Sequence, residues 1–253
     1  MLRSKTILAA LFFSFTFGTS AGAASSLPTY VTSAVNDAGR PDADKARDAD
    51  RKPGEMVAFA GIKPGSKVAD LIPGGGYFTR IFAKAVGPKG HVYAFVPEEL
   101  LKKRATAGDG IKALAADPGY SNVSIIEAPI SGFSASVPLD IVWTSQNYHD
   151  LHNWASPEDL AAFNKAVFAA LKPGGAYIVL DHVAAAGASA DVTETLHRID
   201  PEVVKKEVMA AGFRLDGESN ALKHSDDDHT AKVFDASVRG KTDQFILKFR
   251  KSK

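Results

Sequence analysis

Histidines and carboxylates cluster where a chain of this pattern places its strand ends. Gln146, Asn147, His149, Asp150 and His152 follow one apolar strand, and Asp181 and His182 end the next. His197, Arg198 and Asp200 precede a helix, and His224 and Asp226–His229 lie in a long polar stretch. An imidazole titrates near working pH, so His149, with Asp150 beside it, suits a general base that takes a proton from an attacking hydroxyl, amine or thiol. The same residue types also suit a divalent cation, with His149-x-x-His152 joined by His182, Asp181 or His229. Three consecutive acids, Asp226–Asp228, read equally well as solvated loop charge.

A second chemical signal is Val68-Ala69-Asp70-Leu71-Ile72-Pro73-Gly74-Gly75-Gly76-Tyr77-Phe78-Thr79. An apolar strand ends in three glycines and a helix begins at once. Glycine lets the backbone turn tightly and lets a ligand approach it. The helix start that follows offers unpaired N–H groups to an anion. A dinucleotide-binding turn needs a further glycine three residues after Gly76, and Thr79 stands there.

These residues need a scaffold, and the pattern supplies one. Apolar strands are expected at Lys67–Ile72, His91–Val96, Val123–Glu127, Leu139–Thr144, Ala176–Asp181, Phe213–Glu218 and Asp243–Phe249. Helices are expected at Pro53–Ala60, Phe78–Val86, Glu98–Ala107, Pro157–Leu171 and Pro201–Ala211. Pro at a first helical position, Ser156 as N-cap and Gly61, Gly87 and Gly212 as stops frame them. Strand–helix alternation implies parallel pairing with right-handed crossovers. The last two strands lack a helix between them and are expected to pair antiparallel. Residues 219–241 form their long connection, and loops of that length tend to be functional.

The 253 residues carry 30 Lys and Arg against 29 Asp and Glu. That balance gives no basic stripe for nucleic acid and no acidic tail for a charged partner. The absence of cysteine excludes disulfides, cysteine nucleophiles and cysteine-ligated metals. At the N-terminus, Arg3 and Lys5 precede an apolar run from Ile7 to Phe17, and Ala21-Gly22-Ala23 follows. This reads as a secretory signal cleaved after residue 23, giving a periplasmic or secreted protein with no stable membrane insertion. An N-terminal arm is expected over 24–52, irregular apart from a surface helix, and the α/β domain over 53–253.

Asp-x-x-x-Gly-x-Gly after the first strand resembles the first motif of class I S-adenosylmethionine-dependent methyltransferases. Leu139–Trp143 resembles that family's fourth strand, Leu171–Gly175 the lead-in to its fifth, and Ala211-Gly212-Phe213 the lead-in to its sixth. The match runs from Pro53 to the C-terminus. Together with Tyr148-His149-Asp150, His197–Asp200 and Arg239–Asp243, the pattern is most similar to a group of predicted exported methyltransferases. The resemblance implies a Rossmann-like seven-stranded sheet, mostly parallel, with an antiparallel last hairpin and helices on both faces. It implies S-adenosylmethionine as cofactor, held by Asp70, Gly74, Gly75 and Gly76, with Glu98 at the ribose and Glu127 at the adenine, and Gln146 and Asn147 alongside. It also implies methyl transfer to a small molecule, with His149 and Asp150 carrying the chemistry. Two departures stand out: Ile72 replaces the family's first glycine, and Val96-Pro97 displaces the ribose acid to Glu98. They motivate an alternative, an exported ligand- or metal-binding protein that keeps the fold without turnover.

Overall fold

The computed structural model describes residues 26–252. The expected signal segment, 1–23, lies outside the described residues. The arm is more ordered than its polar composition suggests, for it forms helices α1 (Thr29–Val35), α2 (Asp42–Lys45) and α3 (Asp48–Arg51). Val31 and Ala34 of α1 are buried in the main core cluster beside Met56, Phe78 and Phe82. Apolar burial therefore anchors the arm. A buried ion pair closes it: Arg40 donates to both carboxylate oxygens of Asp48, at 2.8 and 2.6 Å, and to the Val35 carbonyl. Tyr77 donates to the same carboxylate at 2.6 Å and ties the arm to the domain.

Helix α4 (Pro53–Ala60) starts on proline, which has no N–H to leave unpaired, and stops at Gly61, whose φ of 78° few other residues adopt. The alternation then runs β1 (Lys67–Leu71), α5 (Tyr77–Val86), β2 (His91–Pro97), α6 (Glu98–Lys103), α7 (Asp109–Ala116), β3 (Val123–Ala128) and β4 (Leu139–Ser145). After β4 come α8 (Tyr148–Trp154), α9 (Pro157–Ala170), β5 (Leu171–His182), α10 (Val192–Thr195), α11 (Pro201–Ala210), β6 (Arg214–Ser219) and β7 (Gln244–Arg250). Ser156 caps α9 by accepting from the Asp159 N–H, and Asp200 caps α11 by accepting from Glu202.

The seven strands lie in the order β3-β2-β1-β4-β5-β7-β6. All neighbours pair parallel except β7, which runs antiparallel to β5 and to β6. This is the sheet expected from the sequence, including its reversed last strand. Apolar side chains cover both faces: Trp143 and Ile178 point to the α5 side, Val142 and Tyr177 to the α9 side. The chain order reverses between β1 and β4, so a crevice opens at their carboxyl ends, where ligands of open α/β sheets bind.

The connection from β6 to β7 has no regular element, yet it is pinned. Arg198, fully buried, donates to both oxygens of Asp227 at 2.8 and 3.0 Å, and to the Ala231 and Val183 carbonyls at 2.9 Å each. The Asp227 carboxylate also accepts from the His229 and Asp243 N–H groups.

Candidate active site

The glycine turn caps β1. Ile72, Gly74 and Gly76 all have left-handed backbones, with φ of 55°, 56° and 85°. Glycine adopts this freely. Ile72 does not, so its conformation must be imposed from outside. Asn147 imposes it: its Nδ2 donates to the Leu71 and Ile72 carbonyls at 3.3 and 3.0 Å, while its Oδ1 accepts from Thr144. Asn147, expected at the cofactor, is thus spent on bracing the turn.

The three glycines divide their work. A Cβ on Gly74 or Gly75 would meet no atom within 4 Å, so these two line open space. A Cβ on Gly76 would come within 2.9 Å of Leu114 Cδ1 and 3.2 Å of Ile111 Cδ1. Gly76 therefore lets α7 pack on the turn. Below the turn, Asp70 is buried and accepts from Thr79 Oγ1 at 2.6 Å. Burial pushes its carboxyl up to about 7, against the Thr79 bond and the charge of Arg51.

Glu98 and Glu127 stand at the carboxyl ends of β2 and β3, as expected for ribose and adenine contacts. Glu98 opens α6, pairs loosely with Lys102 at 3.7 Å and keeps its carboxylate partly exposed. Glu127 is paired with Lys112 at 2.7 Å. The adjacent Glu99 is occupied, accepting from the Ile130 N–H at 3.0 and 3.2 Å. An open glycine cradle with a partly exposed carboxylate at the next strand end fits a nucleoside-bearing cofactor.

Across the crevice, α8 carries His149 and Asp150. Asp181, fully buried at the end of β5, accepts from the His149 N–H through Oδ2 and from Nδ1 through Oδ1, both at 2.8 Å. It also accepts from the His182 N–H at 2.8 Å. With Nδ1 donating, the network assigns His149 Nε2 as an acceptor. His197 Nδ1 lies 3.2 Å from it and Asp150 Oδ1 lies 3.6 Å from it. His197 holds a left-handed backbone, φ 55°, unusual for a side-chain-bearing residue and a mark of imposed geometry. The result is an Asp181–His149–His197 chain. Burial pushes His149 down, but the Asp181 charge and hydrogen bond outweigh it and the imidazole ends above its ordinary 6.5. Burial and the charge of His149 hold His197 below 6.5. Proton affinity therefore rises inward along the chain.

The other expected members go elsewhere. His152 faces Glu207 at 3.2 Å and His229 faces Asp243 at 3.2 Å, so neither joins His149. The imidazole and carboxylate group close enough to share a cation is His149, Asp150 and His197, whose ligand atoms lie within 4.8 Å of one another. His182 meets Thr242 Oγ1 at 2.8 Å through Nδ1, and burial holds it at about 4, hence neutral at pH 7. The 197–200 segment appeared in the sequence as polar residues before a helix, but spacing alone gave no sign that His197 reaches His149. Arg51 was also missed. It reaches over from α3, lies above the Tyr77 and Phe78 rings at 4.5 and 5.1 Å, and donates to Gln146 Oε1 at 2.7 Å.

No protein-family profile matches the chain. It is similar to a protein-L-isoaspartate O-methyltransferase of Ignicoccus hospitalis, with 35% identity over 86 residues. That segment is 34% of this chain and 38% of the relative, so the chain spans well under half of that relative's length. Among solved structures it is similar to a SAM-dependent methyltransferase from Aquifex aeolicus, with a TM-score of 0.56 and 19% identity over 83% of this chain and 95% of that one. It is also similar to the [4+2]-cyclase SpnF, with a TM-score of 0.60 and 16% identity over 81% of each chain. At such identities the likeness speaks for architecture alone, and the cyclase illustrates that one architecture hosts different chemistry. By strand order, reversed last strand and these likenesses, the chain has the Rossmann-like fold of S-adenosylmethionine-dependent methyltransferases.

Proposed function

We propose that this protein transfers a methyl group from S-adenosylmethionine to a small-molecule acceptor. The observation that carries the reading is the juxtaposition, across the β1–β4 crevice, of the open Gly74–Gly75 cradle and the Asp181–His149–His197 chain. The relatives named for methyl transfer support it. When bound, the cofactor supplies a methyl group on a positively charged sulfur, open to attack by a nucleophile.

The rest falls to residues of this chain. Gly74 and Gly75 admit the cofactor against the backbone, with Asp70 holding the turn from below and Glu98 positioned for the ribose hydroxyls. Glu127 and Gln146 stand at the strand ends on either side. Methyl transfer depends mainly on alignment and exclusion of water. A proton nevertheless leaves the acceptor when a hydroxyl or amine attacks. His197 Nε2, with no hydrogen-bond partner among the described residues, takes that proton. His197 Nδ1 passes its own to His149 Nε2, and Asp181 stabilises the resulting imidazolium. His149 is the proton's destination and acts through His197, while the Asp150 carboxylate beside both adds to the attraction.

Calorimetric titration with S-adenosylmethionine and with S-adenosylhomocysteine tests the reading. Binding in the micromolar range is expected for both. A well-folded protein that binds neither would overturn it. We also propose that the protein works outside the cytoplasm, on the strength of Arg3, Lys5, the Ile7–Phe17 run and Ala21-Gly22-Ala23. N-terminal sequencing after cell fractionation checks this, and a cytoplasmic pool retaining Met1 would contradict it.

A further inference from the structure

The described arginines divide sharply by partner. Arg40, Arg80, Arg198, Arg214 and Arg250 each pair with a carboxylate. Arg47, Arg51, Arg104 and Arg239 have no ion-pair partner among the described residues. Three of these, Arg47, Arg51 and Arg239, line one cavity of about 540 Å³ at the carboxyl ends of β4 and β5. The first two come from the arm and the third from the β6–β7 connection, so distant parts of the chain converge to present the same group. Asp50 is the one carboxylate on that wall. Three guanidinium charges against one carboxylate leave the cavity with two net positive charges, since His182 on its wall is neutral.

Arg51 makes the case most strongly. Its guanidinium meets only neutral oxygens, Gln146 Oε1 at 2.7 Å and Ser145 Oγ at 3.4 Å. Gln146 is fixed in that role, because its Nε2 donates to Gln244 Oε1 at 2.8 Å and its backbone is left-handed, φ 61°. Burial, and then the like charge of Arg47, hold Arg51 down at about 10. A buried charge without a counter-ion is costly, and an anion arriving in the cavity relieves the cost. Guanidinium forks match carboxylate and phosphate oxygens two at a time. The cavity also adjoins the proton chain, since Phe234 lines it and packs at 4.8 Å, tilted by 59°, against His197.

We infer that the methyl acceptor is an anionic small molecule whose carboxylate or phosphate is held by Arg47, Arg51 and Arg239. Assigning this group to the acceptor rests on the methyl-transfer reading. The existence of the anion site does not. The shared chemistry has one other source, the carboxylate of the cofactor's own methionine part, and the test separates the two.

The full chain is titrated calorimetrically with malonate and with inorganic phosphate at fixed ionic strength, alone and saturated with S-adenosylhomocysteine. Arg47→Gln and Arg239→Gln, both at exposed positions, are compared with Arg104→Gln as a control. Binding of either probe is expected, weakened about tenfold or more by each cavity variant, as for loss of a charged hydrogen bond. Arg104→Gln is expected to bind normally, and the probe to stay bound when S-adenosylhomocysteine saturates the protein. No probe binding, or unchanged binding in both cavity variants, overturns the inference. Displacement of the probe by S-adenosylhomocysteine but not by 5′-methylthioadenosine, which lacks the carboxylate, assigns the site to the cofactor and overturns it too. Binding of S-adenosylhomocysteine without probe binding sinks the inference and leaves the methyl-transfer reading standing. Probe binding without any binding of the cofactor or its product removes the acceptor assignment.

Discussion

The crevice has two walls built in different ways. The β1 wall is local: Asp70, the glycine turn and Thr79 lie within ten consecutive residues, and backbone does most of the work. The β4–β5 wall is collected from afar. His149 meets Asp181 across 32 positions and His197 across 48, and Arg51 meets Gln146 across 95. A local wall changes little when the rest of the molecule is disturbed. A collected wall depends on every segment that contributes to it, the pinned β6–β7 connection included. Substitutions should therefore separate the two walls.

The largest effect is expected from His149→Ala. Loss of the proton's destination should lower turnover about 10²- to 10⁴-fold. Affinity for S-adenosylhomocysteine, measured calorimetrically, should stay the same, and an equal fall in both would merge the walls into one. The wild-type pH profile belongs with this variant. His149 lies above its ordinary 6.5, so it sheds its proton only at higher pH, and turnover should rise with an inflection above 6.5. His149→Ala should lose that inflection.

Next comes Arg198→Leu, which leaves Asp227 buried without its counter-charge, held only by the His229 and Asp243 N–H groups. Breaking such a pair costs about 3–5 kcal/mol. Urea unfolding should show the loss, and the β6–β7 connection should gain hydrogen exchange while residues 70–79 keep their protection.

A smaller and more discriminating contrast lies within the turn. Gly74→Val should abolish cofactor binding, because a side chain would fill the open cradle. Gly76→Val should instead destabilise the fold, because its Cβ has no room beside Leu114 and Ile111. Backbone strain of about 1–3 kcal/mol accompanies a side chain at a left-handed position, and both variants carry it. A Gly76→Val protein as stable as Gly74→Val would contradict the division of labour.

The smallest effect concerns Asp70. Its folded carboxyl titrates at about 7, above the ordinary 3.8. Between those values the folded state holds a proton that the unfolded state has lost, so Asp70 makes stability fall as pH rises through that window and level off above it. Asp70→Asn should remove this component of the slope. An identical slope in wild type and variant would show that Asp70 is already ionised in the fold.

The same contrast explains what the sequence disclosed. The strands, their alternation with helices and the reversed last pair were legible because apolar runs and their Gly and Pro stops are local signals. The glycine turn was legible for the same reason, although the separate tasks of Gly74 and Gly76 depend on α7, which packs from outside the motif. The arm was misjudged because its polar residues outnumber Val31 and Ala34, the two that bury. Helix α8 was missed because His, Asp and Asn dominate Tyr148–Trp154 and mask its two buried apolar residues, Tyr148 and Leu151. His149 and Asp181 were both noticed, but no spacing rule links residues brought together by β4–β5 pairing. Arg51 drew no notice and Arg239 entered only as part of the family resemblance, since only the fold shows that neither has an ion-pair partner among the described residues.

The position of α3 has a thermodynamic consequence. Arg51 lies against the Tyr77 and Phe78 rings on one wall and bonds to Gln146 on the other. If ligands on both walls reach the same guanidinium, occupancy of one changes the free energy of filling the other. Such coupling is reciprocal by necessity: whatever factor the first ligand lends to the affinity of the second, the second returns to the first. Under the proposed function, cofactor and acceptor binding would then form a cooperative pair, with a single side chain of the arm as their common term.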